Sequence, residues 1–315
     1  MMRQQSWALE AEAMIVPVAT ARSPELAGTR RWSDWLTLTK PRITALALFT
    51  VGAGYVLGAG TGQIQLSVML HVLIGAGLVA AAGGVFNQLW ERHHDARMPR
   101  TRERPLPAGR VSCEVAAAYG ASLLGIGLAW LTMTTPPAAG LAAAATFLLY
   151  VFVYTPLKRH TVWNTVVGAI PGALPPVIGW CAARGTDAPW GAIGLFSILF
   201  LWQIPHFMAI AWRYRREYAA AGYRMLPNND PTGWKTAAVS VFCCVLLLAV
   251  GAIVAWSLGS RVALVGALAS GVLFLLPAVR FARQRTDDNA RRLLRGSLLY
   301  VPLVYGLLVL DAGWL

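Results

Sequence analysis

The 315-residue sequence predicts an all-α fold, a polytopic membrane bundle of nine transmembrane helices around a central cavity that cytoplasmic loops cap. Three observations carry this. Apolar residues make up 57% of the chain and charged residues 13%, whereas a soluble domain needs roughly a quarter of its residues charged to cover its surface. The apolar residues collect into long runs. The charges, 27 Lys and Arg against 14 Asp and Glu for a net +13, fall mostly on alternate connections between those runs. An ordinary soluble enzyme, a disordered tail and a disulfide-rich secreted module are thereby excluded.

A spanning helix needs about 20 mostly apolar residues to cross roughly 30 Å of hydrocarbon. Nine such windows run from Ile43 to Gly60, Ile64 to Trp90, Val115 to Leu131, Ala138 to Tyr154, Val162 to Ala182, Trp190 to Trp212, Thr236 to Leu258, Val262 to Phe281 and Leu298 to Leu310. The second is long enough to project a turn beyond the membrane. The fifth contains Pro171, Pro175 and Pro176 with Gly168, Gly172 and Gly179, which predicts a kink or a local unwinding. Residues 1–35 are expected to form a flexible cytoplasmic segment, and 36–315 the membrane domain. The stretch Met14 to Ala21 is too short, and too acidic upstream, for a cleaved signal. Cys113, Cys181, Cys243 and Cys244 show no C-x-x-C spacing and read as small buried residues.

If the spans alternate, all Lys and Arg except Arg184 and Arg261 lie on one side. By the positive-inside rule that side is cytoplasmic, with the N-terminus inside and the C-terminus outside; the membrane expected is a bacterial inner membrane. The partner this charge implies is the lipid bilayer, and no nucleic acid is needed.

The basic side also carries the densest polar motifs. Asn87, Glu91 and Asp95 are spaced i, i+4, i+8 at the end of the second span, one ladder of oxygen donors on a helix. Such donors suit Mg²⁺, which takes one or two carboxylates and fills its octahedron with water and substrate phosphate. Arg100, Arg102 and Arg104 follow. Carboxylates alone also fit a structural ion-pair face, and an Arg cluster alone a topology signal or a lipid contact. Both together at a membrane boundary favour a metal-bridged diphosphate site. A second loop has Glu217 among Arg213, Arg215, Arg216 and Arg224, equally readable as positive-inside charge with one pairing carboxylate.

These blocks resemble the intramembrane prenyltransferases of the UbiA type, which carry an N-x-x-x-D-x-x-x-D motif, and within them the heme O synthases. The likeness covers about Leu36 to Pro227. It rests on Thr39-Lys40-Pro41-Arg42, Asn87 to Pro107, Tyr154 to Asn164 with Gly168 to Trp180, and Trp202-Gln203-Ile204-Pro205-His206-Phe207, followed by the second loop. Glu91 and Glu217 stand where that family commonly has aspartate; glutamate keeps the charge and reaches one methylene further, so activity is expected to survive. The resemblance implies transfer of the farnesyl group of farnesyl diphosphate to a vinyl group of heme B, making heme O. It implies Asn87, Glu91, Asp95 and Glu217 as catalytic and Mg²⁺-holding residues. Lys40, Arg42, Arg100, Arg104, Lys158, Arg159 and Arg216 are the implied diphosphate clamps. His206, Gln203, Tyr154, Trp202, Phe207 and Asn164 are the implied heme or prenyl contacts, and heme A synthase or terminal oxidase assembly proteins the implied partners. Among the other histidines, His93 and His94 are expected to be solvated. Two competing readings are a related transferase acting on a quinone precursor or another aromatic acceptor, and a membrane carrier for heme or a lipid diphosphate. The Tyr154 to Trp180 and Trp202 to Phe207 stretches favour heme, and the short, almost uncharged outer connections favour a site open to one side.

Overall fold

The computed structural model describes residues 32–60, 62–257 and 261–312. Residues 1–31, most of the expected N-terminal segment, lie outside them. The regular structure of the described residues is all helical, with α1 (Trp32–Leu38), α2 (Pro41–Ala59), α3 (Leu66–Asp95), α4 (Cys113–Thr134) and α5 (Pro137–Leu148) in order. The last continues through a wider π-type turn, Leu149–Tyr154, to Leu157. Then come α6 (Asn164–Ala173), α7 (Pro175–Arg184), α8 (Pro189–Arg213), the short α9 (Arg215–Ala220), α10 (Trp234–Ser257), α11 (Arg261–Arg283) and α12 (Asp287–Ala312). Among the described residues, nine helical stretches are long and apolar enough to cross a membrane, α6 and α7 together forming the fifth.

Burial follows the solvent being lipid. Of the two largest apolar clusters, one joins α2, α3, α4, α5 and α7; the other joins α8, α10, α11 and α12, with Ala53 and Leu57 of α2 and Ala173 of α6, around the buried Tyr300, Tyr305, Phe274 and Phe281. The outward faces stay apolar, as at Met133, Ile253 and Leu299. Exposed tryptophans mark both ends of the bundle, Trp32, Trp163 and Trp234 beside the basic connections and Trp190 and Trp256 beside the short ones. That is the distribution of side chains whose apolar ring and polar N–H suit a membrane–water boundary.

Three departures from the hydropathy reading have local causes. The described residues ahead of Leu36 already pack on the bundle, because Asp34 pairs with Arg110 at 3.0 Å and Trp35 packs edge-on against Tyr119, 4.9 Å between ring centres. The ninth helix begins at Asp287, eleven residues before its apolar window opens at Leu298. A hydropathy window registers only the part in lipid; here Asp287 and Asp288 sit favourably in the first turn, and Asp288 pairs with Arg291 at 3.4 Å. Arg291, Arg292 and Arg295 are therefore helical. Cys113 is exposed at the start of α4, whereas Cys243 and Cys244 are buried.

The fifth span breaks at Leu174, as its prolines demand. Gln203 on α8 steadies the break, its Nε2 donating to the Ala169 carbonyl at 3.3 Å and to Leu199 of its own helix at 3.1 Å. Helices α2 and α7 meet backbone to backbone. A Cβ on Gly54 would stand 2.1 Å from the Pro176 oxygen, and one on Gly179 1.9 Å from the Val51 oxygen. Gly179→Ala therefore forces the two helices apart at a cost of about 1–3 kcal/mol or more, read as a lower melting temperature in detergent. Gly125→Ala, with nothing within 4 Å of the added carbon, leaves the melting temperature unchanged or higher.

Candidate active site

At 30 residues α3 rises about 45 Å, half as long again as the hydrocarbon core is thick, so its last turns stand at the basic rim. Asn87, Glu91 and Asp95 are all buried there on one helix face. Each meets a cation from a different segment.

Lys40 comes from the turn between α1 and α2. Its backbone is left-handed (φ 52°), a conformation costing a non-glycine residue on the order of 1–3 kcal/mol. The surroundings hold it. Gln88 Nε2 donates to the Thr37 and Leu38 carbonyls at 3.0 Å each, Pro41 opens α2 at a position needing no N–H donor, and Gly84 lets the turn lie against α3. Lys40 Nζ then donates to Asn87 Oδ1 and, at 3.4 Å, to the Tyr150 hydroxyl. Asn87 uses its Nδ2 on Thr155 Oγ1 at 2.9 Å. Burial pushes the Lys40 ammonium down to about 7, against the opposing pull of Glu91, because the group facing it is a neutral amide.

Lys158, just past the fourth span, donates to Glu91 Oε1 at 2.6 Å and lies 4.5 Å from the Tyr154 ring centre. Burial alone would lower this lysine too, but the Glu91 carboxylate, helped by Tyr154 and Tyr150, holds it well above its ordinary value. Two part-buried lysines against one helix face are thus tuned oppositely by their partners. Arg104 completes the set, its Nη1 donating to Asp95 Oδ2 at 2.7 Å.

The second loop faces this ladder. Arg100 lies 4.6 Å from the Tyr214 ring centre and donates to the Tyr218 hydroxyl at 3.4 Å, within electrostatic reach of Glu217. His94 is not solvated as expected: its Nδ1 lies 2.7 Å from the Ala221 carbonyl, an acceptor, so it carries the proton, and Nε2 accepts from Arg159 at 3.2 Å. This ring ties the first acidic motif to the second loop; its neighbour His93 is exposed. Asn164 likewise fastens loop to helix, donating to the Thr161 and Arg224 carbonyls at 2.6 and 2.7 Å, so its amide hydrogens are engaged by backbone. Arg42 and Arg216 are exposed and have no polar partner among the described residues.

About 10 Å further into the bundle along α8, seven residues before its end, His206 stacks on Trp202 at 4.9 Å and meets Phe207 edge-on at 5.7 Å. Trp202 Nε1 donates to the Ser297 carbonyl on α12 at 2.7 Å, and His206 Nδ1 lies 2.7 Å from the Ser297 hydroxyl. Tyr154 packs on Gly168, where a Cβ would stand 2.3 Å from its ring. Sequence reasoning missed Thr155, Gln88, Tyr150 and Ser297. The first three lie within or beside its motifs, while Ser297 sits in an apolar span with no motif around it.

The ladder's donors are all oxygen, and Glu217 Oε2 is buried with no hydrogen-bond partner among the described residues. An unpartnered buried carboxylate oxygen in a loop tied to the helix that carries the amide and carboxylate oxygens fits a hard divalent cation. Among the described residues no three His, Cys, Asp or Glu side chains converge on a single point. That suits a cation drawing on one or two carboxylates and completing its shell from a phosphorylated ligand and water. A row of cations at the rim of an apolar bundle is what an amphiphile with a polyanionic head requires.

The chain belongs to the UbiA prenyltransferase family, whose sequence pattern matches residues 47–301. It is an integral, multi-pass membrane protein. Within the family it is similar to protoheme IX farnesyltransferases. One from Solibacter usitatus is 45% identical over 289 residues, covering 88% of this chain and 98% of the relative. One from Rhodopirellula baltica is 42% identical over 288 residues, covering 88% and 99%. Among solved structures, a digeranylgeranylglyceryl phosphate synthase superposes with a TM-score of 0.75 at 18% identity, over 90% of this chain and 99% of that one. A UbiA homologue from Archaeoglobus fulgidus bound to GPP and Mg²⁺ gives 0.61 at 17% identity, over 87% and 99%. At such identities these two establish the fold.

Proposed function

We propose that this chain transfers the farnesyl group of farnesyl diphosphate to a vinyl group of heme B, releasing diphosphate and forming heme O. The observation that carries it is the three-rung pairing of buried Asn87, Glu91 and Asp95 with Lys40, Lys158 and Arg104 at the basic rim. The protoheme IX farnesyltransferase relatives support the choice of acceptor.

Mg²⁺ would draw on one or two of the Glu91, Asp95 and Glu217 carboxylates with the Asn87 amide oxygen beside them, and would supply neutralising charge for the departing diphosphate. Lys158, Lys40, Arg104 and Arg100 bind the diphosphate oxygens, and Arg159 backs them through His94. As the allylic C–O bond breaks, negative charge grows on the leaving oxygen, and these fixed cations stabilise it more than they stabilise the bound substrate. The vinyl carbon of heme attacks the allylic carbon, and a water molecule adds to the cation left beside the porphyrin, losing one proton. The rings of Tyr154, Trp202 and Phe207 shield the allylic centre from earlier capture by water, with their π faces towards its charge. His206 faces the heme, while Gln203 and Asn164 hold the walls of the pocket through backbone carbonyls.

The basic rim is cytoplasmic in this reading, with the N-terminus inside, the C-terminus outside and residues 36–315 acting as one membrane domain of a bacterial inner membrane. Heme A synthase or terminal oxidase assembly proteins are the partners expected to take the product. Membranes containing the chain, given labelled farnesyl diphosphate, should place the label in extractable heme, and a divalent-cation chelator should stop it. Asp95→Asn at normal protein level should lose that labelling. Label appearing in a quinone precursor instead of heme would overturn the choice of acceptor.

A further inference from the structure

His206 is held in one protonation geometry by a residue outside every polar motif. The Ser297 hydroxyl has a single proton, and the Leu294 carbonyl, an acceptor only, lies 2.6 Å from its oxygen. That proton is therefore committed to Leu294, because any other orientation would set two bare oxygens against each other at that distance. The hydroxyl oxygen then has only lone pairs to offer His206 Nδ1 at 2.7 Å, so Nδ1 carries the imidazole proton. Nε2 is left as the basic nitrogen, and it makes no hydrogen bond among the described residues. Trp202, anchored through its N–H to the carbonyl of the same serine, stacks on the ring and fixes its plane; Phe207 closes an edge.

We infer that Ser297 is a positioning residue that sets the His206 tautomer and presents a neutral Nε2 lone pair to the iron of the heme substrate. The inference rests on the reading of His206 as the residue facing heme. A ligating imidazole ordinarily gives its second N–H to an acceptor, which orients the ring and makes the ligating nitrogen more basic. Here the acceptor is a hydroxyl whose own proton is pinned to backbone, so the chain N–H to O–H to C=O runs in one direction only. A packing role alone for Ser297 would require the small buried side chain and not this direction.

The test uses purified full-length protein and heme B without farnesyl diphosphate, reading the heme absorption band, the dissociation constant and the iron–imidazole stretching frequency of the ferrous complex. His206→Ala should lose the imidazole-ligated band. Ser297→Ala, and the nearly isosteric Ser297→Cys, should fold normally, weaken heme binding about tenfold and lower the stretching frequency, since the imidazole loses its acceptor. Ser297→Thr, which keeps the hydroxyl, should restore both. If His206→Ala loses the band while Ser297→Ala and Ser297→Cys match the unmodified chain in affinity and frequency, the role of Ser297 is overturned and that of His206 stands. A band unchanged in His206→Ala overturns the reading of His206, and this inference with it.

Discussion

Glu91→Gln should lower farnesyl transfer to heme B by about 10²–10³-fold, the scale on which losing one preorganised electrostatic stabiliser of a transition state is felt. Glutamine keeps the size, the buried position and a hydrogen-bond acceptor for Lys158 but leaves that ammonium without its counter-charge, so the rate is read per folded protein and the melting temperature should fall as well. The effect should fall mainly on kcat, because remaining cations still attract the diphosphate while the site loses charge that counts most when the C–O bond breaks. Turnover with purified Glu91→Gln, beside its melting temperature, checks this. A near-normal rate would remove Glu91 from the chemistry and leave it as half of a structural ion pair.

Lys158→Met should act on stability as well as activity. The pair it breaks is buried, with side-chain exposures of 14% for Lys158 and 9% for Glu91, so the mutant leaves a carboxylate without its counter-charge in a medium that solvates it poorly. The expected cost is about 3–5 kcal/mol, seen as a large drop in melting temperature. The double variant Glu91→Gln with Lys158→Met removes both charges and should recover most of the stability while staying inactive. That combination separates the two roles of the pair: holding the fourth span against α3, and handling diphosphate. If the double variant is as unstable as Lys158→Met alone, the destabilisation comes from lost packing of the lysine stem over Tyr154.

Most of the bundle was legible because lipid imposes a length and a composition that a sequence records directly. The ladder was legible for a similar reason: a spacing of four on a helix is geometry, and Asn87, Glu91 and Asp95 stand together wherever that helix goes. What joins them was not. Lys40 and Lys158 reach Asn87 and Glu91 across 47 and 67 residues of chain, distances over which local pattern carries no pairing information. The same holds for His206 and Ser297, 91 residues apart. The backbone service of polar side chains was hidden for a related reason. The resemblance implies Asn164 and Gln203 as ligand contacts; a proline-broken span and a loop carbonyl also make demands on them, which no motif records. His94 was read as solvated because it lies off the ladder face, and only the fold brings Ala221 to it. The start of α12 was hidden because hydropathy ends where the lipid does, although the helix continues.

The central claim is that the paired rim and the aromatic pocket beneath it form one site of turnover. The most direct test is a single-turnover reaction of purified protein with heme B, farnesyl diphosphate and Mg²⁺, following released diphosphate and, by mass spectrometry, heme O in the same sample. The expected result is one diphosphate per heme O, with neither formed when Mg²⁺ or heme B is withheld. A folded protein that binds both substrates yet releases no diphosphate and forms no heme O would contradict the account and make the chain a carrier.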